Sequence, residues 1–372
     1  MAIIEDKLPL TIEEILEAYG LKGKMTDWFM IHTGHINRTF VITLDNGEKR
    51  LLQLINTTVF KKPLELMDNA MRVTDHIRAK IKESGGDPER ETLSVYFTVD
   101  GKNCFRDSDG EYWRFYNYVE NAFSYDSIEN EEIFFRAGAA FGNFQSQLAD
   151  FPGETLFETI PNFHDTYQRF LNLKAAVEKN AAGRKDEVKA EIDFVLEREE
   201  DTKIIVELIA KGDIPVRVTH NDTKLNNIMF DSDTKMPVCV VDLDTVMPGS
   251  ALYDFGDAIR FGASTAAEDE KDLSKVSMDI NLYETYVRGF LSTAGKSLTK
   301  AEIDYLPFSA KLLTLECGIR FLTDYLDGDV YFGTAYPEHN LDRCHTQFKL
   351  VYDMEQKMDE MKKITQEVYN SL

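Results

Sequence analysis

One short stretch constrains this chain more than any other. Residues 218–230 read Val-Thr-His-Asn-Asp-Thr-Lys-Leu-Asn-Asn-Ile-Met-Phe, and residues 238–244 read Val-Cys-Val-Val-Asp-Leu-Asp. The first run places His220, Asp222, Lys224 and Asn227 within eight positions of one another. The second opens on a short apolar run that reads as a buried strand ending on Asp242. Whatever this chain folds into must hold that polar loop and that strand end in place. At 372 residues the chain exceeds what one ordinary core carries, so two lobes are expected.

The order of elements fits two lobes. The first third is strand-rich. Thr11 and Glu14 have the spacing of a capping box that opens a short helix, and Gly20 can end it. Residues 28–33 and 38–44 read as strands around a tight Gly34. Asn46-Gly47 is a hairpin turn answered by residues 50–55. Pro63 opens an amphipathic helix that runs to Ser84 and stops at Gly85-Gly86. Hairpin turns at Asp100-Gly101 and Asp109-Gly110 connect three further strands. From about residue 119 the period becomes helical. Phe134, Ala137, Phe141, Phe144 and Leu148 form a stripe at three- and four-residue steps, the pattern of a core-facing helix. Helices follow at 165–180 and 185–211, then the polar loop, then mostly helix. The expectation is an α+β chain with a β-rich lobe over 1–118 and a mainly helical lobe over 119–372.

Composition excludes some classes. The hydrophobic fraction of 43% is ordinary for a globular protein, and no apolar run approaches a membrane span. The N-terminus lacks the basic and apolar regions of a signal peptide. Cys104, Cys239, Cys317 and Cys344 are scattered without a Cys-x-x-Cys pair, as expected of reduced thiols in a cytoplasmic protein. The formal charge of −23 argues against a nucleic-acid partner. Oligomeric state is not legible.

The chemistry lies in the polar loop. An Asp followed five positions later by an Asn is the spacing of a kinase catalytic loop. Phosphoryl transfer needs a carboxylate near the acceptor hydroxyl, and oxygen ligands for the magnesium that neutralises the phosphates. Asp222 is the candidate base, Lys224 the candidate cation beside the transferred group, and Asn227 and Asp242 the candidate metal ligands. His220 reads as a structural histidine. In an extended segment Asp244 points to the same side as Asp242, which makes it a candidate for the metal or the substrate. Asp254-Phe255-Gly256 spells the metal-binding tripeptide of protein kinases. It follows no strand, so Asp254 reads instead as a helix cap. Gly34, Asn37 and Thr39 lie on the strand–turn–strand expected to cover the phosphates. Gln53 occupies the third-strand position where protein kinases carry a lysine, and Arg50 is the nearest cation in sequence.

With those residues in place the chain resembles the aminoglycoside phosphotransferase and choline kinase superfamily, whose loop pattern is His-x-Asp followed by Asn. Within it the chain is most similar to the bacterial N-acetylhexosamine 1-kinases. The similar segments include 52–60, 139–144, 220–227, 242–268 and 320–331, and Gln53 belongs to that subgroup's pattern. The resemblance implies a two-lobed protein-kinase-like fold, ATP and Mg²⁺, and phosphorylation of the anomeric hydroxyl of N-acetylglucosamine or N-acetylgalactosamine. It places Arg320 and Tyr331 at the sugar, which with Asp222 and Asp244 makes the candidate sugar set, while Gly34, Asn37, Thr39 and Gln53 are the candidates for the nucleotide. Two other readings stay open: a kinase for choline, homoserine, an aminoglycoside or another sugar, and a pseudokinase that only binds nucleotide or sugar.

Overall fold

Strand-forming segments and tight turns alternate through the first third of the chain, and the outcome is an antiparallel sheet. The computed structural model describes residues 8–32 and 36–372. The chain divides into two units. One runs to Phe123 and takes in Thr155–Ile160 and Met229–Met247; the other comprises Ser124–Glu154, Pro161–Ile228 and Pro248–Leu372.

In the first unit, helix α1 (Ile12–Ala18) precedes strands β1 (Met25–Ile31), β2 (Arg38–Leu44) and β3 (Lys49–Ile55). Gly47 joins β2 to β3 at φ +84°, a conformation that costs a glycine little. Helix α2 (Pro63–Glu83) starts on its proline, where the missing N–H leaves no helical bond unmade. Helix α3 (Pro88–Glu91) and strands β4 (Val95–Tyr96), β5 (Phe105–Arg106) and β6 (Tyr112–Asn117) complete a six-stranded sheet in the order β1-β2-β3-β6-β4, with β5 also on β6. Phe40, Ile42, Leu52, Trp113 and Phe115 of this sheet close a core with Ile15 and Leu16 of α1. Burying each such side chain contributes about 1.5–3 kcal/mol. A second sheet joins β7 (Ala122–Phe123) to the strands Ile228–Asp231 and Pro237–Val240. Thr11 and Glu14 do not form the expected capping box. The Thr11 hydroxyl donates to Asp107 at 2.7 Å, and Glu14 accepts from the Ser108 hydroxyl at 2.8 Å. Both side chains tie α1 to the turn before β6, a tertiary partner that sequence spacing does not reveal.

The second unit is helical. Its helices are α4 (Glu131–Gln147), α5 (Thr166–Lys179), α6 (Lys189–Leu196), α7 (Glu199–Lys211), α8 (Ala251–Gly262), α9 (Ile280–Ala294), α10 (Lys300–Asp327) and α11 (His339–Asn370). The stripe Phe134, Ala137, Phe141, Phe144 and Leu148 is buried along α4, as its spacing requires. Glycines bring α4 and α9 together at backbone distance: a methyl on Gly138 would lie 2.7 Å from the Tyr286 carbonyl oxygen. The single helix expected over 185–211 is instead a 3₁₀ turn followed by α6 and α7. At the break Arg198 stacks over Phe194, 3.6 Å from the ring centre, and pairs with Glu355 of α11. Helix α10 opens with a true capping box of Thr299 and Glu302 and ends on Gly328 in the left-handed region. No helix among the described residues is long and apolar enough to cross a membrane. The four cysteines are free and buried.

Candidate active site

The loop that opened the sequence argument follows the short strand Arg217–Thr219 in the helical unit. Asn221 takes φ +64°, which turns the chain sharply just before Asp222. Asp222 is partly exposed. Its Oδ1 receives the Lys224 ammonium at 2.7 Å. The Asn227 amide nitrogen donates to the Asp222 carbonyl at 2.8 Å and to Oδ2 at 3.1 Å. Burial pulls the Lys224 pKa down, but the Asp222 charge and hydrogen bond outweigh it and hold the pKa above the usual lysine range. The loop therefore keeps a carboxylate, a charged ammonium and an amide within one hydrogen-bonded cluster. The amide leaves its carbonyl oxygen as a donor for a cation.

Asp254 holds this loop from beneath, and the helix-cap reading of it is overturned. Ser250 caps α8, accepting from the Leu252 N–H at 3.3 Å. Asp254 sits inside the first turn, 1% exposed. Its carboxylate accepts the backbone N–H groups of His220 at 3.0 Å and Asn221 at 2.8 Å, and the Gln145 amide at 2.7 Å. Its carbonyl accepts the Thr223 hydroxyl at 2.7 Å. Burial raises the Asp254 pKa against the pull of these donors. The carboxylate fixes the backbone that carries Asp222. The His220 ring packs against Phe141 and Phe144 at 5.6 and 5.8 Å, in keeping with a structural histidine.

In the β-rich unit the strand Pro237–Val240 ends just before Asp242, which is exposed and left-handed at φ +60°. Residues 243–245 then make a 3₁₀ turn. The expectation that Asp242 and Asp244 point the same way assumed extended backbone and fails here. Asp242 faces outward, whereas Asp244 is 3% exposed. Asp244 forms an ion pair with Arg114 of β6 and accepts a hydrogen bond from Asn37. Arg114 is the cross-strand neighbour of Gln53 and donates to its side-chain oxygen at 3.0 Å. Gln53 in turn donates to the Thr39 hydroxyl at 3.0 Å. Asn37, Thr39, Gln53 and Asp244 thus belong to one network centred on Arg114. Gly34 lies outside the described residues. Burial tends to lower the Arg114 pKa, but the Asp244 charge more than reverses this and holds it above the usual arginine range. Arg50 instead pairs with Glu48 at 2.7 Å and lies over Tyr96, 3.9 Å from the ring centre. The buried cation of this sheet therefore sits one strand away from the lysine position of protein kinases.

A model of the phosphotransferase enzyme family matches residues 30–293. The chain belongs to that family. Solved structures show the same fold at low identity. An aminopropanol kinase associated with a microcompartment is 15% identical with a TM-score of 0.57, over 95% of this chain and 99% of that one. An aminoglycoside phosphotransferase from Alicyclobacillus acidocaldarius is 12% identical with a TM-score of 0.59, over 100% of both. An amicoumacin kinase solved with AMP-PNP and Ca²⁺ is 11% identical with a TM-score of 0.58, over 97% of this chain and 93% of that one.

Against this phosphotransferase fold, the remaining residues singled out by resemblance lie on α10 and the segment after it. Arg320 is on α10, 5.4 Å from the centre of the Phe332 ring, and the Tyr331 ring meets Phe332 edge-on at 4.8 Å. Asp324 positions this segment. It accepts the N–H groups of Val330, Tyr331 and Phe332 at 2.9, 2.8 and 2.9 Å, and the Asn340 amide at 2.8 Å. A contact chain runs from α10 to the loop that carries Asp222. Glu316 accepts from Thr166 at 2.7 Å and pairs with His164 Nδ1 at 2.8 Å, and His164 Nε2 lies 3.4 Å from the Asn221 carbonyl. Sequence reasoning missed Arg114, although a lone arginine inside Tyr112-Trp113-Arg114-Phe115-Tyr116 was a signal: a charge there needs a buried partner.

Proposed function

We propose that this phosphotransferase transfers the γ-phosphoryl group of ATP to the anomeric hydroxyl of an N-acetylhexosamine, giving the sugar 1-phosphate in the cytoplasm. The observation that carries the kinase reading is the Asp222 cluster, a partly exposed carboxylate with an ammonium and an amide on its two oxygens. Asp222 is placed to accept the acceptor proton, and Lys224 to offset charge on the transferred group. The sugar reading rests on the resemblance across residues 242–268 and 320–331.

ATP implies a divalent metal, and the residues present suit one. Among the described residues there is no cluster of three or more His, Cys, Asp or Glu side chains fit to hold a metal by itself. Magnesium at a nucleotide does not need one, because phosphates and water fill most of its six positions and one or two protein oxygens complete them. The exposed Asp242 carboxylate and the side-chain oxygen of Asn227 are each a hard donor of that kind. When bound, the ion neutralises phosphate charge. Asp244 is buried against Arg114 whereas Asp242 is exposed, and the metal is assigned to Asp242. Gly34, Asn37, Thr39 and Gln53 are assigned to the nucleotide, and Asp244, Arg320 and Tyr331 to the sugar.

An acceptor panel tests the reading. N-acetylglucosamine or N-acetylgalactosamine should exceed glucose and galactose in kcat/KM by at least roughly tenfold, because a site built to bond the acetamido group is left with unpaired polar groups by a plain hexose. Phosphorus NMR of the product should show coupling to the anomeric proton. A 6-phosphate product, or faster turnover of choline or an aminoglycoside, refutes the substrate and leaves the phosphotransferase class.

A further inference from the structure

Arg169 and Arg320 in the helical unit lack the ion pair that most of its other buried or half-buried arginines have; Arg343, which also lacks one, is engaged by the Gly333 carbonyl and the Asn340 side-chain oxygen. Arg217 is paired with Glu302, Arg260 with Asp257 and Glu268, and Arg198 with Glu355. Arg169 of α5 and Arg320 of α10 are both half-buried, and among the described residues neither has a carboxylate within 4.0 Å. They flank the same residue. Arg169 donates to the Phe163 carbonyl at 2.7 Å, and the Arg320 guanidinium lies 5.7 Å from the centre of the Phe163 ring. The Arg169 Nε is buried without a hydrogen-bond partner.

The acids nearby are already engaged. Glu316 stands one turn before Arg320 on α10, and its two oxygens go to His164 and Thr166. The Asp165 carboxylate caps α5, accepting from the Gln168 N–H at 2.8 Å. Burial first, and then the Arg320 charge, pulls the Arg169 pKa below the usual arginine range, as two like charges near one another require. The pair is tied to the catalytic loop, since His164 touches both Glu316 and the Asn221 carbonyl. In a chain of net charge −23, two guanidiniums flanking one ring with no carboxylate in direct contact are the feature that calls for a ligand.

We propose that Arg169 and Arg320 act together as a charge filter for the acceptor, admitting neutral or anionic hydroxyl compounds and rejecting those that carry an ammonium group. The proposal rests on the phosphotransferase reading above and deepens it by naming the acceptor class. It also separates this chain from the aminopropanol kinase that shares its fold, whose named substrate is an amine. Arg169 is the specificity residue that the sequence did not reveal. It works by placing a second fixed charge near Arg320 across the Phe163 residue that both flank.

The test compares N-acetylglucosamine with glucosamine, which replaces the acetamide by an ammonium on the same ring, and adds ethanolamine as a small cation. In the wild-type enzyme kcat/KM should favour the acetylated sugar by roughly 100-fold or more, since like-charge juxtaposition is strongly unfavourable. Arg169→Met should shrink that ratio at least tenfold with the KM for ATP unchanged, whereas Arg169→Lys should hold it within about threefold. Arg320→Met should shrink it in the same direction, which keeps the test decisive if Arg169→Met does not fold. Retention of the wild-type ratio in Arg169→Met and Arg320→Met overturns the filter while leaving the sugar kinase standing. A wild-type enzyme that ignores acetylated sugars yet phosphorylates another uncharged polyol, with the same arginine dependence, overturns the sugar and leaves the filter. Turnover of ethanolamine or glucosamine at the rate of the acetylated sugar overturns the filter, and turnover of ethanolamine with none of any sugar overturns both.

Discussion

Two residues carry most of the chemistry proposed for this chain, and each has a partner that makes its removal informative. Asp222 holds Lys224 and Asn227 on its two oxygens. General-base action is worth about 10² to 10⁴ in rate. Asp222→Asn should lower kcat by that range while the thermal transition and nucleotide binding stay near wild type. A variant with more than about half the wild-type kcat would remove Asp222 from the mechanism. Arg114 is the opposite kind of residue, buried and paired with Asp244. Arg114→Met leaves Asp244 as a buried unpaired charge, which costs about 3–5 kcal/mol of stability. The double variant Arg114→Met/Asp244→Asn removes both charges and should recover most of that stability in a denaturant titration. It should not recover kcat/KM for ATP, because the cation beside Gln53 is still missing. Full kinetic recovery in the double variant would make the pair structural alone.

At the scale of elements, the loop that carries Asp222 depends on a helix that the sequence reveals but starts too late. With Asp254 as its cap the helix would begin at Phe255, whereas α8 begins at Ala251 under a Ser250 cap. Its Asp254, however, faces the loop and gathers two backbone N–H groups and a side-chain amide instead of capping the helix. Asp254→Asn replaces one acceptor oxygen by a donor facing N–H groups. Leaving buried donors unsatisfied costs about 1–3 kcal/mol each. The displaced loop should lower kcat by roughly 100-fold, since a shift of about 1 Å at a catalytic group has that effect, with the KM for ATP little changed. Equal kcat in the variant would show that the loop holds its shape without Asp254.

The same contrast marks what could be read in advance. Hairpin glycines, the proline start of α2 and the aromatic stripe of α4 are set by local φ/ψ preference and burial, so the sequence displays them. The direction of Asp244, the partners of Thr11 and Glu14, the break at Arg198 and the cation at Arg114 depend on residues far away along the chain. Periodicity holds no record of those contacts. The kinase-like loop was legible because its residues are close in sequence. The proposed acceptor pair was legible only in part: resemblance points to Arg320, whereas Arg169 lies about 150 positions away and joins it only by flanking the same Phe163.

At the scale of the whole molecule, the charge of −23 makes a prediction that neither the loop nor the helices make. A nucleotide–magnesium complex is an anion approaching a strongly anionic protein, so their long-range interaction is repulsive. Salt shortens its reach: the Debye length falls from about 30 Å at 0.01 M to about 8 Å at 0.15 M ionic strength. The KM for ATP should therefore fall as an inert salt is raised over that range. A neutral sugar feels no such field, so its KM should stay constant within about twofold over the same titration. A cationic acceptor would behave in the opposite sense, because the attraction that draws it in is screened and its KM rises. One salt titration with both substrates varied in turn thus reads the charge of the acceptor independently of any mutation. A KM for the best acceptor that climbs steeply with salt would identify it as a cation, and would contradict the unpaired arginines beside the catalytic loop.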